Sequence, residues 1–233
     1  MINCDMKKTY LASSIAVLSL IGINQFARAA DPTHLDQSSV APTEAISKLK
    51  EGNERYTSGS LQQPGQTRER RTEVAKSQHP FAIIVSCSDS RVPPEIVFDQ
   101  GLGDLFVLRV AGNVINDESR GSIEYAVEHF GVRLILVLGH QRCGAVEAAK
   151  ETIAAKGKAP AHIQSLVTAI KPAVESTVKG DLDATIKANV EYVVDALRSS
   201  APILKPKVES GDVQVIGGYY SLDTGAVTFL DQK

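Results

Sequence analysis

The stretch Phe81-Ala-Ile-Ile-Val-Ser-Cys87 decides the fold, because it is a short apolar run that ends in a potential metal ligand. Such a run, without alternating polar residues, is typical of a parallel strand that is buried on both faces. Similar runs follow along the chain at residues 105–110 and 134–138. We therefore predict a strand at each of the three places.

Helical patterns separate these strands. In residues 118–130 the apolar side chains recur at i, i+3, i+4 and i+7, and another helix should begin near Cys143. Further helices are predicted over residues 43–56, 68–77, 163–178 and 184–198, with Thr43 as the first cap and Pro172 as a boundary or kink, and late strands over 213–216 and 226–230. Strands alternating with helices predict an α/β domain whose sheet contains parallel pairs.

The first 29 residues look like a secretory signal. Lys7 and Lys8 precede an apolar stretch at residues 11–23, and Ala27-Arg28-Ala29 is a small-x-small cleavage pattern. A membrane anchor is the alternative, but a spanning helix needs about 20 residues. We predict a signal peptide over residues 1–29, cleaved after Ala29, a flexible leader over 30–42 and one domain over 43–233, in a periplasmic or secreted protein.

The composition is that of an ordinary globular protein. Apolar residues make up 43% of the chain, charged residues 22%, and the formal net charge is -2. No long basic run is present, so nucleic acid is not an expected partner. No other stretch is long and apolar enough to cross a bilayer, so we predict no membrane span in the mature protein.

The cysteines are informative because only Cys87 and Cys143 stay after the predicted cleavage. Two cysteines in an exported protein are commonly one disulfide. Their neighbours favour a metal site instead, since Cys87-Ser-Asp89 ends one predicted strand and His140-Gln-Arg-Cys143 follows another. The carboxyl ends of such strands meet at one edge of a sheet, where ligands bind.

Zinc is the metal that this set of side chains suits. Thiolate and imidazole are the ligands it prefers, and a carboxylate can complete the tetrahedron. We therefore predict one Zn²⁺ per chain, with Cys87, Asp89, His140 and Cys143 as the candidate ligands.

Two motifs, Cys87-Ser-Asp-Ser-Arg-Val-Pro-Pro-Glu95 and Gly139-His-Gln-Arg-Cys-Gly144, closely resemble those of the β-class carbonic anhydrases. Supporting blocks at residues 51–56, 109–113, 122–127 and 217–220 extend the resemblance over roughly residues 44–232. It implies a mainly parallel sheet with an antiparallel extension, flanked by helices, and an N-terminal helical arm that embraces a partner subunit in a dimer or tetramer. The implied reaction is the reversible hydration of carbon dioxide to bicarbonate and a proton.

Asp89 decides whether such a site is active. Four protein ligands would fill the zinc tetrahedron and leave no position for water. Arg91, two residues on, can instead offer that carboxylate a bidentate fork. The resemblance implies that both arrangements occur and makes Asp89 and Arg91 the catalytic pair. We expect Cys87, His140 and Cys143 as permanent ligands and Asp89 as a switchable fourth, which in the open form orients the attacking hydroxide.

A regulated branch of the family bears on which form is preferred. That branch has a tryptophan three residues before the first zinc cysteine, where this chain has Ile84. Arg109 and either Tyr219 or Tyr220 match the remaining parts of its bicarbonate site. Because the tryptophan is missing, we predict an open site at neutral pH.

The resemblance also implies residues of the substrate pocket. Gln78 matches a glutamine that reaches an active site from the partner subunit, and Phe106 and Tyr125 match aromatic positions that line the pocket. Gly144 would bring a backbone N–H close to the substrate. From pattern alone, Phe106 and Tyr125 would be core residues and Gln78 a surface loop residue.

Three alternatives stay open at this point. The first is a structural zinc protein closed by all four ligands and without activity. The second is a disulfide or redox protein that joins Cys87 to Cys143. The third keeps the scaffold and hydrolyses carbon disulfide or carbonyl sulfide, because selectivity depends on pocket access and assembly.

Overall fold

The computed structural model describes residues 40–230. The helices in this part of the chain are α1 (Pro42–Thr57), α2 (Arg68–Val74), α3 (Pro94–Val97), α4 (Asp117–Phe130), α5 (Gly144–Ala154), α6 (Ile163–Ser176), α7 (Leu182–Arg198) and α8 (Leu204–Glu209), with a 3₁₀ turn at Ala111–Asn113. The strands are β1 (Ala82–Ser86), β2 (Leu105–Arg109), β3 (Leu134–His140), β4 (Gln214–Tyr220) and β5 (Val227–Phe229). The predicted signal peptide and most of the predicted leader lie outside the described residues.

The five strands form one sheet in the order β2-β1-β3-β4-β5. The first four are parallel to their neighbours, and β5 runs antiparallel to β4. This confirms the predicted α/β class with a mainly parallel sheet and an antiparallel extension. Within residues 40–230, none of the helices combines the length and apolarity that a membrane span requires.

Helices cover both faces of the sheet. On one face Ile84 and Leu136 pack with Leu49 of α1. On the other face Ile83 and Val137 pack with residues of α4 and α7. Because successive strand residues point to opposite faces, burial of both faces requires unbroken apolar runs. That requirement explains why β1 and β3 are recognisable in the sequence.

The two N-terminal helices behave differently. α1 packs on the sheet of its own chain, where Ala45 and Leu49 are fully buried. Asn53 of α1 donates to the carbonyl oxygens of Val97 and Gly225. α2, in contrast, has no buried residue. Of the predicted arm, α2 is therefore the less buried helix, held to its own chain through the half-buried Arg70, which donates to Leu102 and Asp104.

Several predicted helix boundaries are wrong. α1 begins at Pro42 after Ala41, so Thr43 is not its cap. Proline suits this position because its missing N–H would have no partner in the first turn. α2 ends at Val74 instead of residue 77. Pro172 lies inside α6, which excludes the predicted boundary there and leaves the alternative of a kink as a prediction.

β4 is longer than predicted, because it continues through two glycines to Tyr220. Glycine has no side chain that continues an apolar run, but it serves the packing of the sheet here. A Cβ on Gly217 would lie 2.9 Å from Cγ1 of Val190 in α7, closer than real Cβ contacts come. Glycine therefore permits the close approach of α7 to the strand.

Candidate metal centre

Three side chains converge at the carboxyl edge of the sheet. The ligand atoms of Cys87, His140 and Cys143 lie within 4.8 Å of one another. Cys87 follows β1, His140 ends the adjacent β3, and Cys143 immediately precedes α5. Their exposed fractions are 5%, 0% and 1%, so all three are shielded from solvent. The structure thus brings Cys87 together with two residues that lie more than 50 positions further along the sequence.

His140 presents one ring nitrogen to this cluster. Its Nδ1 lies 3.0 Å from the carbonyl oxygen of Gln141, which can only accept, so Nδ1 is the protonated nitrogen. Among the described residues, no hydrogen-bond partner is found for the buried Nε2. A buried polar atom without a partner is costly, whereas a metal ion would satisfy it.

The two thiols affect each other's ionisation. A hydrogen bond from the Cys143 thiol, partly opposed by burial, lowers the pKa of Cys87. The same bond and burial raise the pKa of Cys143. The pair therefore holds one negative charge readily, and a divalent cation would displace the second proton because thiolate is the metal-binding form. Both cysteines are free, with no disulfide between them.

The donor set fits zinc. Two sulfurs and one neutral imidazole nitrogen, all buried, match its preferred ligands, and three protein ligands leave the fourth position that catalytic zinc sites keep. The residues that would hold the ion are Cys87, His140 and Cys143.

Asp89 lies beside the cluster with its carboxylate bound to Arg91. Nε of Arg91 lies 2.9 Å from Oδ1, and Nη2 lies 2.7 Å from Oδ2. The backbone N–H of Arg91 also donates to Oδ1, at 2.9 Å. These bonds outweigh burial and hold the pKa of Asp89 well below its usual value. Oδ2 nevertheless lies only 3.8 Å from Nε2 of His140.

Arg109 holds the backbone on which Cys87 and Asp89 lie. Its Nε donates to the carbonyl oxygen of Cys87 at 3.0 Å, and its Nη2 donates to that of Asp89. Arg109 ends β2 and pairs with Ser86 in the sheet. Sequence reasoning connected Arg109 only with a regulatory site and missed this contact. The sequence carried no signal for it, because both acceptors are backbone carbonyl oxygens of another segment.

A second support reaches Cys87 through Gly112. The Gly112 N–H donates to Sγ of Cys87 at 3.3 Å, and Asn189 of α7 donates to the Gly112 carbonyl oxygen at 2.8 Å. Gly112 has φ of 70°, and a Cβ there would lie 2.8 Å from Cδ1 of Ile170. Asn189 is fully buried. Its role had no signal in the sequence, because spacing along α7 does not reveal what faces it.

The predicted pocket residues are distributed differently. Gly144 follows Cys143 directly, and open space surrounds the position of its missing side chain. Gln78 lies in the exposed loop before β1, and Phe106 pairs with Ile83 near the start of that strand. Tyr125 is 49% exposed. Of these four predicted pocket residues, Gly144 alone therefore adjoins the metal centre of its own chain.

Residues 82–227, more than half of the 233-residue chain, match the family model for carbonic anhydrase. The chain belongs to this family. Carbonic anhydrase 2 of Mycobacterium tuberculosis (strain H37Rv) is 39% identical over 193 residues, which cover 82% of this chain and 93% of that protein.

Solved structures give the class of carbonic anhydrase. The β-carbonic anhydrase CafA of Aspergillus fumigatus is 28% identical, with a TM-score of 0.61, and the match covers 81% of this chain and 90% of that one. A tetrameric β-carbonic anhydrase of Sordaria macrospora shares the fold at 23% identity, with a TM-score of 0.63 over 70% of this chain and 86% of that one.

The chain is thus similar to β-class carbonic anhydrases in sequence and fold. As a β-class carbonic anhydrase it catalyses the reversible hydration of carbon dioxide, and its cofactor is zinc. The alternatives of a disulfide protein and an inactive zinc protein are therefore not supported.

Proposed function

We propose that this carbonic anhydrase works through an open zinc site, in which Arg91 rather than the metal holds Asp89. The observation that carries the proposal is the bidentate pair, with N–O distances of 2.9 and 2.7 Å. While that pair is intact, the protein ligands that residues 40–230 offer would be Cys87, His140 and Cys143. Three protein ligands would leave one position of a zinc ion for a ligand from solvent.

The residues around this position have separate tasks. Zinc held by these residues would supply the Lewis acidity that lowers the pKa of water towards neutrality. The ionised carboxylate of Asp89 only accepts, so it would take a hydrogen bond from the attacking solvent oxygen and direct a lone pair of that oxygen at the carbon of carbon dioxide. The fork from Arg91 fixes the carboxylate plane. The backbone N–H of Gly144, in the unpaired first turn of α5, donates to a substrate oxygen.

Replacing Asp89 tests this assignment. In Asp89→Asn we expect one zinc per chain as in the wild type, but a fall in carbon dioxide hydration of at least about 100-fold, because the amide no longer orients the hydroxide. Metal analysis and stopped-flow hydration on the same preparation measure both. Asp117→Asn, at an exposed position of α4, is the matched control. Full hydration in Asp89→Asn, or loss of its zinc, would contradict the proposal.

We also propose that the enzyme self-associates as a dimer or tetramer. β2 is an edge strand, and its Phe106 lies 6.1 Å, centroid to centroid, from Phe130, which also stacks edge-on against the half-exposed Tyr125. A second copy against this edge would cover the aromatic group and could carry Gln78 to a neighbouring site. The tetrameric Sordaria macrospora enzyme, which has the same fold, supports this arrangement.

Export is proposed from the N-terminal sequence. The basic residues, the short apolar stretch and Ala27-Arg28-Ala29 support a signal peptide, and cleavage after Ala29 would leave Ala30 as the first residue of a periplasmic or secreted enzyme.

A further inference from the structure

Asp223 lies outside the metal centre but is bonded to the loop that carries two of its ligands. β3 ends at His140 and β4 ends at Tyr220, and these two residues are paired in the sheet. The loop from His140 to Cys143 and the turn from Ser221 to Gly225 therefore leave the sheet side by side. Asp223 is at the tip of that turn.

The Asp223 carboxylate accepts three hydrogen bonds from the two residues between the ligands. Gln141 donates through Nε2 at 2.9 Å, and Arg142 donates through Nη1 at 3.1 Å and Nη2 at 2.7 Å. The contact is reciprocal, because the Asp223 N–H donates to Oε1 of Gln141 at 3.3 Å. One carboxylate thus restrains both residues that separate His140 from Cys143.

Both restrained residues act on the ligands. The carbonyl oxygen of Gln141 is the acceptor that orients the His140 ring. Arg142 has φ of +53°, a left-handed conformation that a residue with a side chain adopts at a cost. That conformation turns the chain from β3 into α5 and so sets the position of Cys143. Such strain persists where surrounding contacts hold it, and the fork to Asp223 is such a contact.

The turn that bears Asp223 is itself anchored. The N–H groups of Ser221 and Gly225 close it with bonds to the carbonyl oxygens of Ala226 and Ser221, each of 2.9 Å. Asn53 of α1 donates to the Gly225 carbonyl oxygen at 2.8 Å. The turn can therefore serve as a support for the loop instead of moving with it.

We propose that Asp223 is a positioning residue for zinc, which holds the His140–Cys143 loop in its metal-binding conformation through Gln141 and Arg142. The side chains of Arg142 and Asp223 are 52% and 58% exposed. An ion pair so exposed adds little to global stability. Its effect should appear instead in metal affinity, and it should be modest, at most about 5-fold, because the pair is exposed and acts on the ligands through Gln141 and Arg142.

The structure offers a matched control at the opposite end of the same two strands. Arg133 precedes β3 and Asp212 precedes β4, and Nε of Arg133 donates to the Asp212 carbonyl oxygen at 2.8 Å. Their side chains are similarly exposed, at 34% and 68%, with 4.0 Å between Nη2 and Oδ1. Asp212→Ala therefore removes a comparable carboxylate far from the metal ligands.

The test is transfer of zinc from the loaded full-length enzyme to a chromophoric chelator, together with the visible spectrum of the Co²⁺-substituted protein. For Asp223→Ala we expect zinc affinity to fall about 2- to 5-fold and the cobalt bands to shift. Asp212→Ala should match the wild type in both. Should Asp223→Ala fail to fold, Asp223→Asn, which keeps one carbonyl acceptor, should show the same changes at smaller size.

A second background tests whether Asp223 acts through Arg142. Glycine adopts positive φ without cost, so in Arg142→Gly the further change Asp223→Ala should weaken zinc binding less than it does in the wild type. Any of three results would overturn the inference. Zinc affinity could be unchanged in Asp223→Ala, it could fall equally in Asp212→Ala, or Asp223→Ala could cause the same loss of affinity in the wild-type and Arg142→Gly backgrounds. It rests on the three ligands proposed above: a wild-type enzyme without zinc would refute those ligands, whereas tight binding by both wild type and variant refutes only the role of Asp223.

Discussion

Asp89 has two possible partners, Arg91 and zinc, and a small movement of one side chain separates them. Its Oδ2 is 2.7 Å from Nη2 of Arg91 and 3.8 Å from the ring nitrogen of His140 that faces the metal position. The strength of the fork therefore decides whether the site is open. Removing Arg91 should favour coordination of Asp89 to zinc.

We expect Arg91→Ala to keep one zinc per chain and to lose hydration activity by about 10- to 100-fold, because Asp89 loses the charged partner that keeps it off the metal. The Co²⁺-substituted variant should show changed absorption bands, because a carboxylate enters the coordination sphere. Arg133→Ala, which removes another arginine paired with an aspartate, is the control. Full activity in Arg91→Ala would show that the fork is not needed.

The chemistry of the ligands explains how much of the site the sequence predicted. Cys87, His140 and Cys143 were predictable because their types suit zinc and they adjoin predicted strand ends. Arg109 and Asn189 were not, because their contacts are made with backbone atoms of distant segments. Residue type and spacing do not predict a hydrogen bond to a backbone carbonyl oxygen of a distant segment.

Among the elements, α1 is tied to the segment after α3 by a buried ion pair. Arg55 Nε lies 2.6 Å from Oδ2 of Asp99, and the N–H groups of Gln62 and Gln63 donate to the same carboxylate at 3.1 and 2.9 Å. Burial raises the pKa of Asp99, but these bonds outweigh it, so the net shift is downwards. The Asp99 side chain is 1% exposed.

Replacing this carboxylate should destabilise the protein in a pH-dependent way. Asp99→Asn should lower the free energy of unfolding by about 3 kcal/mol near neutral pH, since it leaves Arg55 without its buried charge partner. Asparagine tolerates the positive φ of position 99, which is 45°, so backbone strain is not added. Denaturant unfolding of both proteins measures the difference.

The sign of the pH effect follows from the lowered pKa of Asp99. The stabilisation by the ionised Asp99 carboxylate is complete above the pKa of about 3.9 that this group has in the unfolded chain. It is lost as the pH falls through the lower pKa of the folded protein. The difference in the free energy of unfolding between wild type and Asp99→Asn should therefore become smaller below about pH 4. Asp195→Asn, at a largely exposed pair with Arg198, should change stability by at most about 0.5 kcal/mol. A gap that is constant down to low pH would contradict this account.

Element types were more predictable than their ends. β1 and β3 were clear because burial on both faces demands apolar runs, and α4 was clear from its amphipathic spacing. The predicted strand at 213–216 stopped short of Gly217 and Gly218, because glycine has no side chain that continues an apolar run, and the approach of α7 explains the glycine at 217. The short helices α3 and α8 were not predicted, since too few residues carry a periodic pattern.

For the whole molecule, strand order creates the metal centre. β1 and β3 are neighbours, so the segments after Ser86 and at His140 meet although β2 and α4 lie between them in the chain. The sequence predicted that parallel strands share a carboxyl edge, but not which strands are adjacent. The sequence likewise does not show whether a second copy of the chain brings Gln78, Phe106 and Tyr125 to a metal centre. Within one chain these residues do not reach it.

The zinc site should be open at neutral pH because Arg91 holds Asp89. A crystal structure of the zinc-loaded enzyme at neutral pH measures this directly, through the distance from zinc to the Asp89 oxygens. We expect Cys87, His140 and Cys143 on the ion, Asp89 paired with Arg91, and a solvent molecule in the fourth position. An Asp89 oxygen at about 2.0–2.2 Å from zinc, with its bonds to Arg91 broken, would contradict the account.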